Sequence, residues 1–453
     1  MKITIRNIGP VNSAEIDLLG LTVIGGFNDS GKSTVGKTLF ALTKSFRNKE
    51  QQFNYEQKNK ITAYSSELMS KLRGVLGGRF SPQNINMILR RYTNYLLEPE
   101  AFDIDNIDVA LEAVKSNIYN NIVHRSFIRE KELNTPIVDG NKDPIDDALN
   151  QYISDLKVVL TSNINEEDLY KGSYGRMLTS VFSREINNKR NIHQLGTISL
   201  KNSEDDEEIF YSSFKDNKIS DFKIKDSSKF EIFDDCTFLE SPFTINKYST
   251  LQSFSPAYRS RDIGDYTTQD LIQKLNLVSN DMEAHQPFES EIIDKISELI
   301  SGKMYFDSDE DEFVYKTTDG YSFSVNNTAS GVKTLGILQM LVNLGLFTGN
   351  NLLIIDEPEV HLHPAWQIVY AEIVAMLVKN NLLCLISTHS PYFLKAIQTF
   401  VRTYEIENLT KFYIAEKSPD GCNFHDITSD IEPLYELLAE PMQSIIFQNK
   451  KAK

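Results

Sequence analysis

Leu21-Thr22-Val23-Ile24-Gly25-Gly26-Phe27-Asn28-Asp29-Ser30-Gly31-Lys32-Ser33-Thr34 is the stretch that decides the fold. Leu21 to Ile24 reads as a short buried strand running into paired glycines. From Ser33 onward Val35, Leu39 and Leu42 recur at helical spacing, with Lys37 and Lys44 expected on the outward face. Between strand and helix, Gly26 to Ser33 matches GxxxxGK[ST], in the context that gives the pattern meaning. Glycines let successive backbone N–H groups turn inward as an anion nest, and the helix N-terminus adds its dipole. The candidate phosphate-binding residues are therefore Gly26, Asn28, Ser30, Gly31, Lys32, Ser33 and Thr34. Lys32 is expected to reach the β- and γ-phosphates and the Ser33 hydroxyl to ligate Mg²⁺, which makes ATP and Mg²⁺ the expected ligands.

Upstream, Ile3, Ile5 and Ile8, then Ala14-Glu15-Ile16-Asp17-Leu18, read as two further strands, so that residues 1–50 form an N-terminal part carrying the phosphate loop. Residues 51–190 change character. Leu68, Met69, Leu72 and Val75, then Ile153, Leu156, Val159 and Leu160, have helical spacing, broken at Gly77-Gly78 and Asp139-Gly140. No heptad run persists, so a helical insertion is expected rather than a long coiled coil. Residues 191–260 return to strand chemistry, and residues 261–453 read as a helical connector followed by a C-terminal lobe. The acidic runs Glu204–Glu208 and Asp309–Glu312, each between apolar stretches, read as solvated turns. From residue 330 the chain alternates: helix 330–346, strand Leu352–Ile355, helix 365–378, strand 382–386, helix 391–402, strand 412–414. Such alternation predicts an α/β fold with a doubly wound sheet.

Three further constellations carry chemistry. Leu352-Leu353-Ile354-Ile355-Asp356-Glu357 places two carboxylates at the carboxyl end of an apolar strand, where open α/β sheets bind ligands. Asp356 is the candidate Mg²⁺ ligand together with Ser33, and Glu357 the candidate general base for an attacking water. Thr388-His389-Ser390-Pro391 follows the next apolar strand and puts His389 within the same edge as a second catalytic candidate. Thr328-Ala329-Ser330-Gly331-Val332-Lys333 opens a helix, and Ser330 and Gly331 offer a second phosphate-binding surface. Arg259 and Arg261 are weaker candidates for phosphate or DNA, read against an ordinary surface loop.

The order of phosphate loop, long insertion, Ser-Gly signature, Asp-Glu and His resembles the ABC-type ATPase heads of the SMC, RecF and OLD families. The resemblance covers about residues 1–45 and 325–400. It implies an ABC-type P-loop NTPase head, a mixed sheet with an antiparallel N-terminal β part, interrupted by the insertion. It also implies a homodimer with two sandwiched ATP molecules, in which Ser330 and Gly331 act on the partner's γ-phosphate. The departure from a transporter-style LSGGQ, here Ala329-Ser330-Gly331-Val332-Lys333, leaves Lys333 as either a charge at that phosphate or a surface lysine. Asp356-Glu357-Pro358-Glu359-Val360-His361-Leu362-His363-Pro364 is similar to the OLD-like and the Septu- or PARIS-type ATPases of bacterial antiphage defence. That similarity implies a dimeric sensor or regulator paired with a separate nuclease or toxin effector. His361 and His363 fit a contact at the dimer interface better than a metal pair. The metal-dependent nuclease domain of OLD enzymes has no counterpart after His389, so nuclease chemistry in this chain is not expected.

Composition bounds the partners. A formal charge of −16, from 47 basic and 63 acidic residues, counts moderately against a surface built to wrap nucleic acid, although a local basic groove stays compatible with it. No apolar run approaches the roughly 18 residues needed to span a bilayer, and the first residues lack a signal-peptide core. The three cysteines have no CxxC spacing, which favours reduced thiols in the cytoplasm without a zinc site. Alternatives to the defence reading are a RecF-type repair ATPase binding DNA directly, a transport ATPase, and a scaffold that binds ATP with little turnover.

Overall fold

Apolar residues alternate in Lys2–Ile8 (β1) and Val11–Asp17 (β2), and the two strands pair antiparallel across a Gly9-Pro10 turn. Leu21–Gly26 (β3) is buried along its whole length and leads into helix Lys32–Arg47 (α1). This is a computed structural model, and it describes residues 1–47, 49–76, 107–133, 142–161, 165–202, 206–225, 233–248, 266–280, 282, 286–347 and 350–439. The chain divides into two compact units, one of Met1–Arg47 with Tyr170–Lys453, the other of Asn48–Leu169.

The second unit is helical. Lys49–Leu76 (α2), Ile107–Leu133 (α3) and Lys142–Thr161 (α4) supply its core. Ile61, Leu68 and Leu72 meet Leu111, Val114 and Ile118, and Leu149, Tyr152 and Leu156 complete the cluster. All three sets repeat at helical spacing, so each helix turns one apolar stripe inward. The buried Ser65 and Tyr152 hydroxyls satisfy each other at 2.9 Å.

Where the insertion ends differs from the sequence expectation of residue 190. Helix Glu166–Val181 (α5) crosses out of the helical unit, because Tyr170, Tyr174, Met177 and Leu178 bury in the core of the first unit. Tyr170 lies 4.9 Å from Phe46 between ring centroids, and the Ser173 hydroxyl donates to Ser45 O at 2.8 Å.

Chain order through the first unit continues with Gly196–Lys201 (β4), Glu208–Lys215 (β5), Lys218–Ile224 (β6) and Asp235–Leu239 (β7). Helices Tyr266–Leu275 (α6) and Pro287–Ile300 (α7) follow, then a three-stranded hairpin sheet of Gly302–Asp307 (β8), Glu312–Thr317 (β9) and Ser322–Ser324 (β10). The C-terminal lobe comprises Ser330–Asn343 (α8), Asn351–Asp356 (β11), Pro364–Lys379 (α9), Leu383–Thr388 (β12), Pro391–Thr403 (α10), Thr410–Ser418 (β13) and Gly421–Asp426 (β14).

Among the described residues, eleven strands form one mixed sheet in the order β6-β5-β4-β1-β2-β14-β13-β3-β12-β11-β7. The half from β6 through β2 is antiparallel, whereas β13, β3, β12, β11 and β7 are mutually parallel. Alternate residues of the parallel strands feed two cores. Val23, Leu353, Ile355 and Ile386 pack with α7 to α10 on one face. Ile24, Leu352, Ile354 and Leu385 pack with α1 and α5 on the other. Helices on both faces are what a parallel sheet needs, since neither of its faces is polar. On one side α1 approaches so closely that a Cβ at Gly36 would lie 2.8 Å from Ile354 Cγ2.

One expectation is corrected inside this core. Lys44, read as outward-facing, is 4% exposed. Its ammonium sits 2.5 Å from Asp235 and 2.5 Å from Asp270, and Lys274 closes the ring at 2.9 Å and 3.0 Å from the same two carboxylates. Charge alone placed Lys44 on the solvent side, but the helix there faces β7 and α6, which carry its counter-ions. Burial opposes the charge on Lys44, yet Asp270 and Asp235 hold its pKa above the ordinary lysine value.

Candidate functional site

Parallel pairing sets the site. Thr388 stands opposite Gly25 and Asp356 opposite Ser387, so the carboxyl ends of β3, β12 and β11 align along one sheet edge. Open α/β sheets take ligands at that edge.

The phosphate-loop backbone needs its glycines. Gly26 has φ +158°, and a Cβ there would lie 2.7 Å from Ala415 O; Gly31 has φ +81°, and its Cβ would lie 2.9 Å from Val11 Cγ2. Asn28 is exposed, Ser33 is half-buried, and Thr34 is buried beside the Gly9 turn. Lys32 is buried, and its ammonium donates to Gly26 O at 3.1 Å and Phe27 O at 2.9 Å. Desolvation lowers its pKa, with Glu357 and Asp356 acting the other way. Ser30 Oγ is buried with no hydrogen-bond partner, a polar atom aimed into a loop built for an anion. The residues present therefore fit a bound phosphate chain. A cradle of this kind with hard oxygen donors, Ser33 and Asp356, also suits Mg²⁺.

The acidic turn lies against this loop. Asp356 Oδ1 accepts a hydrogen bond from Ser387 Oγ. Glu357 N donates to Ser387 O at 3.1 Å, and Glu357 takes φ +51°, the left-handed region that costs a side chain about 1 kcal/mol or more. This turn aims the Glu357 carboxylate so that Oε1 lies 3.7 Å from Lys32 Nζ and 3.3 Å from His389 Nδ1. Lys32, Glu357 and His389, distant in sequence, thus meet at one point.

Glu359 was not singled out from the sequence. It is 6% exposed, and its Oε1 accepts from Thr388 Oγ1 at 2.7 Å, His389 N at 2.7 Å and Ser390 N at 3.1 Å. The only signal was a second acid two residues after Glu357, which a surface turn would equally carry. Glu240, at the end of β7, is also new to the site: it lines a cavity with Asp356 and Glu357 and lies 3.5 Å from Lys37.

Ser330 and Gly331 open α8, and Ala329 at the N-cap brings no capping side chain to their N–H groups. A Cβ at Gly331 would lie 2.9 Å from the Trp366 ring and 3.3 Å from His361 O. Thr334 and Ile337 of α8 share walls with Asp356, Glu357 and His361 around a cavity of about 270 Å³. Lys333 is neither on the surface nor directed outward from this end. It is 2% exposed, and its ammonium donates to Asn246 Oδ1 at 3.0 Å and lies over the Phe243 ring. His363 caps α9 by accepting from Ala365 N at 3.3 Å, and His361 meets the Phe243 ring edge-on. Among the described residues no cluster of three or more His, Cys, Asp or Glu suits a metal. Arg259 and Arg261 lie outside the described residues.

A phosphate-shaped loop with a buried lysine, after an interior strand of the parallel half of the sheet and beside an acidic strand end, defines a P-loop nucleotide-binding protein of the ATPase-head type. The family model described as AAA ATPase domain matches residues 1–394, and the chain belongs to that family. A comparison with curated proteins gives no match. Among solved structures the chain is similar to the SMC head domain from Thermotoga maritima, at 9% identity over 94% of this chain and 98% of that one, with a TM-score of 0.37. It is similar too to an SmcHead bound to the C-winged helix domain of ScpA, at 11% identity, 94% and 96% coverage and a TM-score of 0.38. A Smc head domain with a coiled coil and joint derived from Pyrococcus yayanosii gives 12%, 97%, 99% and 0.36. No helix among the described residues is long and apolar enough to cross a membrane.

Proposed function

We propose that this chain hydrolyses ATP as a cytoplasmic homodimer closed over two nucleotides, and that it regulates a separate nuclease or toxin effector in bacterial antiphage defence. The meeting of Lys32, Glu357 and His389 at one sheet edge carries the hydrolytic part of this reading. Lys32 exchanges its two carbonyl partners for β- and γ-phosphate oxygens, so an already buried charge gains a better acceptor. Glu357 accepts the proton of a water that attacks the γ-phosphorus as the bond to ADP breaks. His389 lies beside Glu357 and holds the same attacking water in line. Mg²⁺ held through Ser33 and Asp356 would neutralise the β- and γ-oxygens.

Half-buried Ser330 and buried Gly331, at the start of α8, form the turn that would meet the partner's nucleotide. The 356–364 segment is what favours a defence role over repair, through its similarity to defence ATPases. The test is mass photometry and phosphate release for wild type and Glu357→Gln, each with and without Mg-ATP. Wild type should turn over, and ATP should double the mass in both proteins, persistently in the variant. Wild-type rates in Glu357→Gln would remove the base assignment, and mass indifferent to ATP in both would remove the nucleotide-closed dimer. Salt-dependent DNA binding by the purified chain would replace the defence role with repair.

A further inference from the structure

Glu359 is a buried carboxylate that the hydrolytic scheme leaves without a task, and the ATPase reading is the premise for giving it one. Its Oε1 accepts from three donors on successive residues, Thr388 Oγ1, His389 N and Ser390 N. A carboxylate is a costly way to fix a corner that Ser390 already caps, its own Oγ accepting from Phe393 N at 3.2 Å. The same Oε1 lies 3.3 Å from His389 Nδ1, and Glu357 Oε1 lies 3.3 Å from that nitrogen on behalf of the acidic turn. Glu359 Oε2 is buried with no hydrogen-bond partner, and His389 Nδ1 is likewise buried without one. Two acidic oxygens facing one ring nitrogen favour a proton there, because a bare nitrogen lone pair would repel both.

We propose that Glu359 is a positioning residue for hydrolysis: it anchors the Thr388–Ser390 corner and keeps the proton on Nδ1 of His389, leaving the Nε2 lone pair to accept a hydrogen bond from the attacking water. The residue thus does for His389 what an orienting acid does for a histidine in other phosphate and acyl-transfer sites, acting through the ring rather than on the nucleotide.

The experiment compares wild type, Glu359→Gln, His389→Gln and the double variant. Glu359→Gln is nearly isosteric and keeps an acceptor for the corner, so it should fold with the wild-type melting midpoint and bind ATP with unchanged affinity. Its kcat should fall about tenfold or more, the scale on which proton-positioning groups act. The double variant should turn over no more slowly than His389→Gln alone, because both changes remove the same contribution. The ¹⁵N imidazole signals of His389, identified by their loss in His389→Gln, should show Nδ1 protonated in wild type and a changed pattern in Glu359→Gln. A wild-type kcat in Glu359→Gln, losses that multiply in the double variant, or an unchanged imidazole pattern would each overturn the proposal. Should wild type itself fail to hydrolyse ATP, the ATPase reading falls, and the imidazole pattern still decides what Glu359 does.

Discussion

Asp235→Asn should be among the costlier single substitutions in the first unit, although it touches no nucleotide. Asp235 faces Lys44 at 2.5 Å and Lys274 at 2.9 Å, and both lysines are buried. Asparagine keeps the shape and removes the charge, leaving two buried ammonium groups to share Asp270. Removing one partner of a buried ion pair costs about 3–5 kcal/mol. Since Asp270 still bridges both lysines, the lower end, about 3 kcal/mol, applies. The half-exposed Arg47, 2.8 Å from Asp235, adds little because water screens it. An internal reference is the more exposed Lys411–Asp426 pair at 3.1 Å, for which Lys411→Ala should cost about 1 kcal/mol or less. Urea unfolding followed by fluorescence of Trp366, the single tryptophan, measures both in the unit that holds them. The pH dependence carries a sign. Burial alone would raise the Asp235 carboxyl, but Lys274 and Lys44 hold it well below the carboxylate range. A folded pKa below the unfolded one gives stability that is present above the unfolded value of about 3.9 and lost as pH falls towards the folded one. The gap between wild type and Asp235→Asn should therefore be full at pH 7 and shrink below about pH 4. A loss no larger than that of Lys411→Ala, or a gap constant down to pH 3, would refute the claim that this network is a coupled buried charge cluster.

Gly331→Ala places a methyl group 2.9 Å from the Trp366 ring at the start of α8, so it should disturb the signature turn without reaching the phosphate loop. ATP-dependent mass doubling should be lost while nucleotide affinity of the monomer stays; a variant that still dimerises on ATP counts against a role for this turn in closure. Replacing residues 49–168 with a short Gly/Ser linker should leave the first unit folded, because Phe46 and Tyr170 already bring the junction together at 4.9 Å. Its Trp366 unfolding midpoint and ATP affinity should match wild type, and a chain that fails to fold would show that the helical unit is required for the head.

What the sequence determined by itself is local and contiguous. The phosphate loop is legible because strand, glycines, lysine and helix follow one another without a break, so backbone geometry and function share one stretch of chain. Asp356 and Glu357 are legible for the same reason: an apolar strand that ends in two acids must release them at its edge. The helix–strand alternation after residue 330 foretold β11, β12 and β13, three of the five parallel strands, because buried strands carry apolar runs whatever their neighbours are. Only the tertiary structure decided which charges lie inside. Lys44 and Lys333 look like solvent-facing lysines in a one-dimensional pattern, and each is buried against a partner far away in the chain, Asp235 for one and Asn246 for the other. Glu359 had no visible purpose until β11 and β12 stood side by side and brought His389 to it. Helical periodicity states which way a side chain points but not what stands there, and in a low-dielectric interior it is the facing group that decides whether a charge can stay.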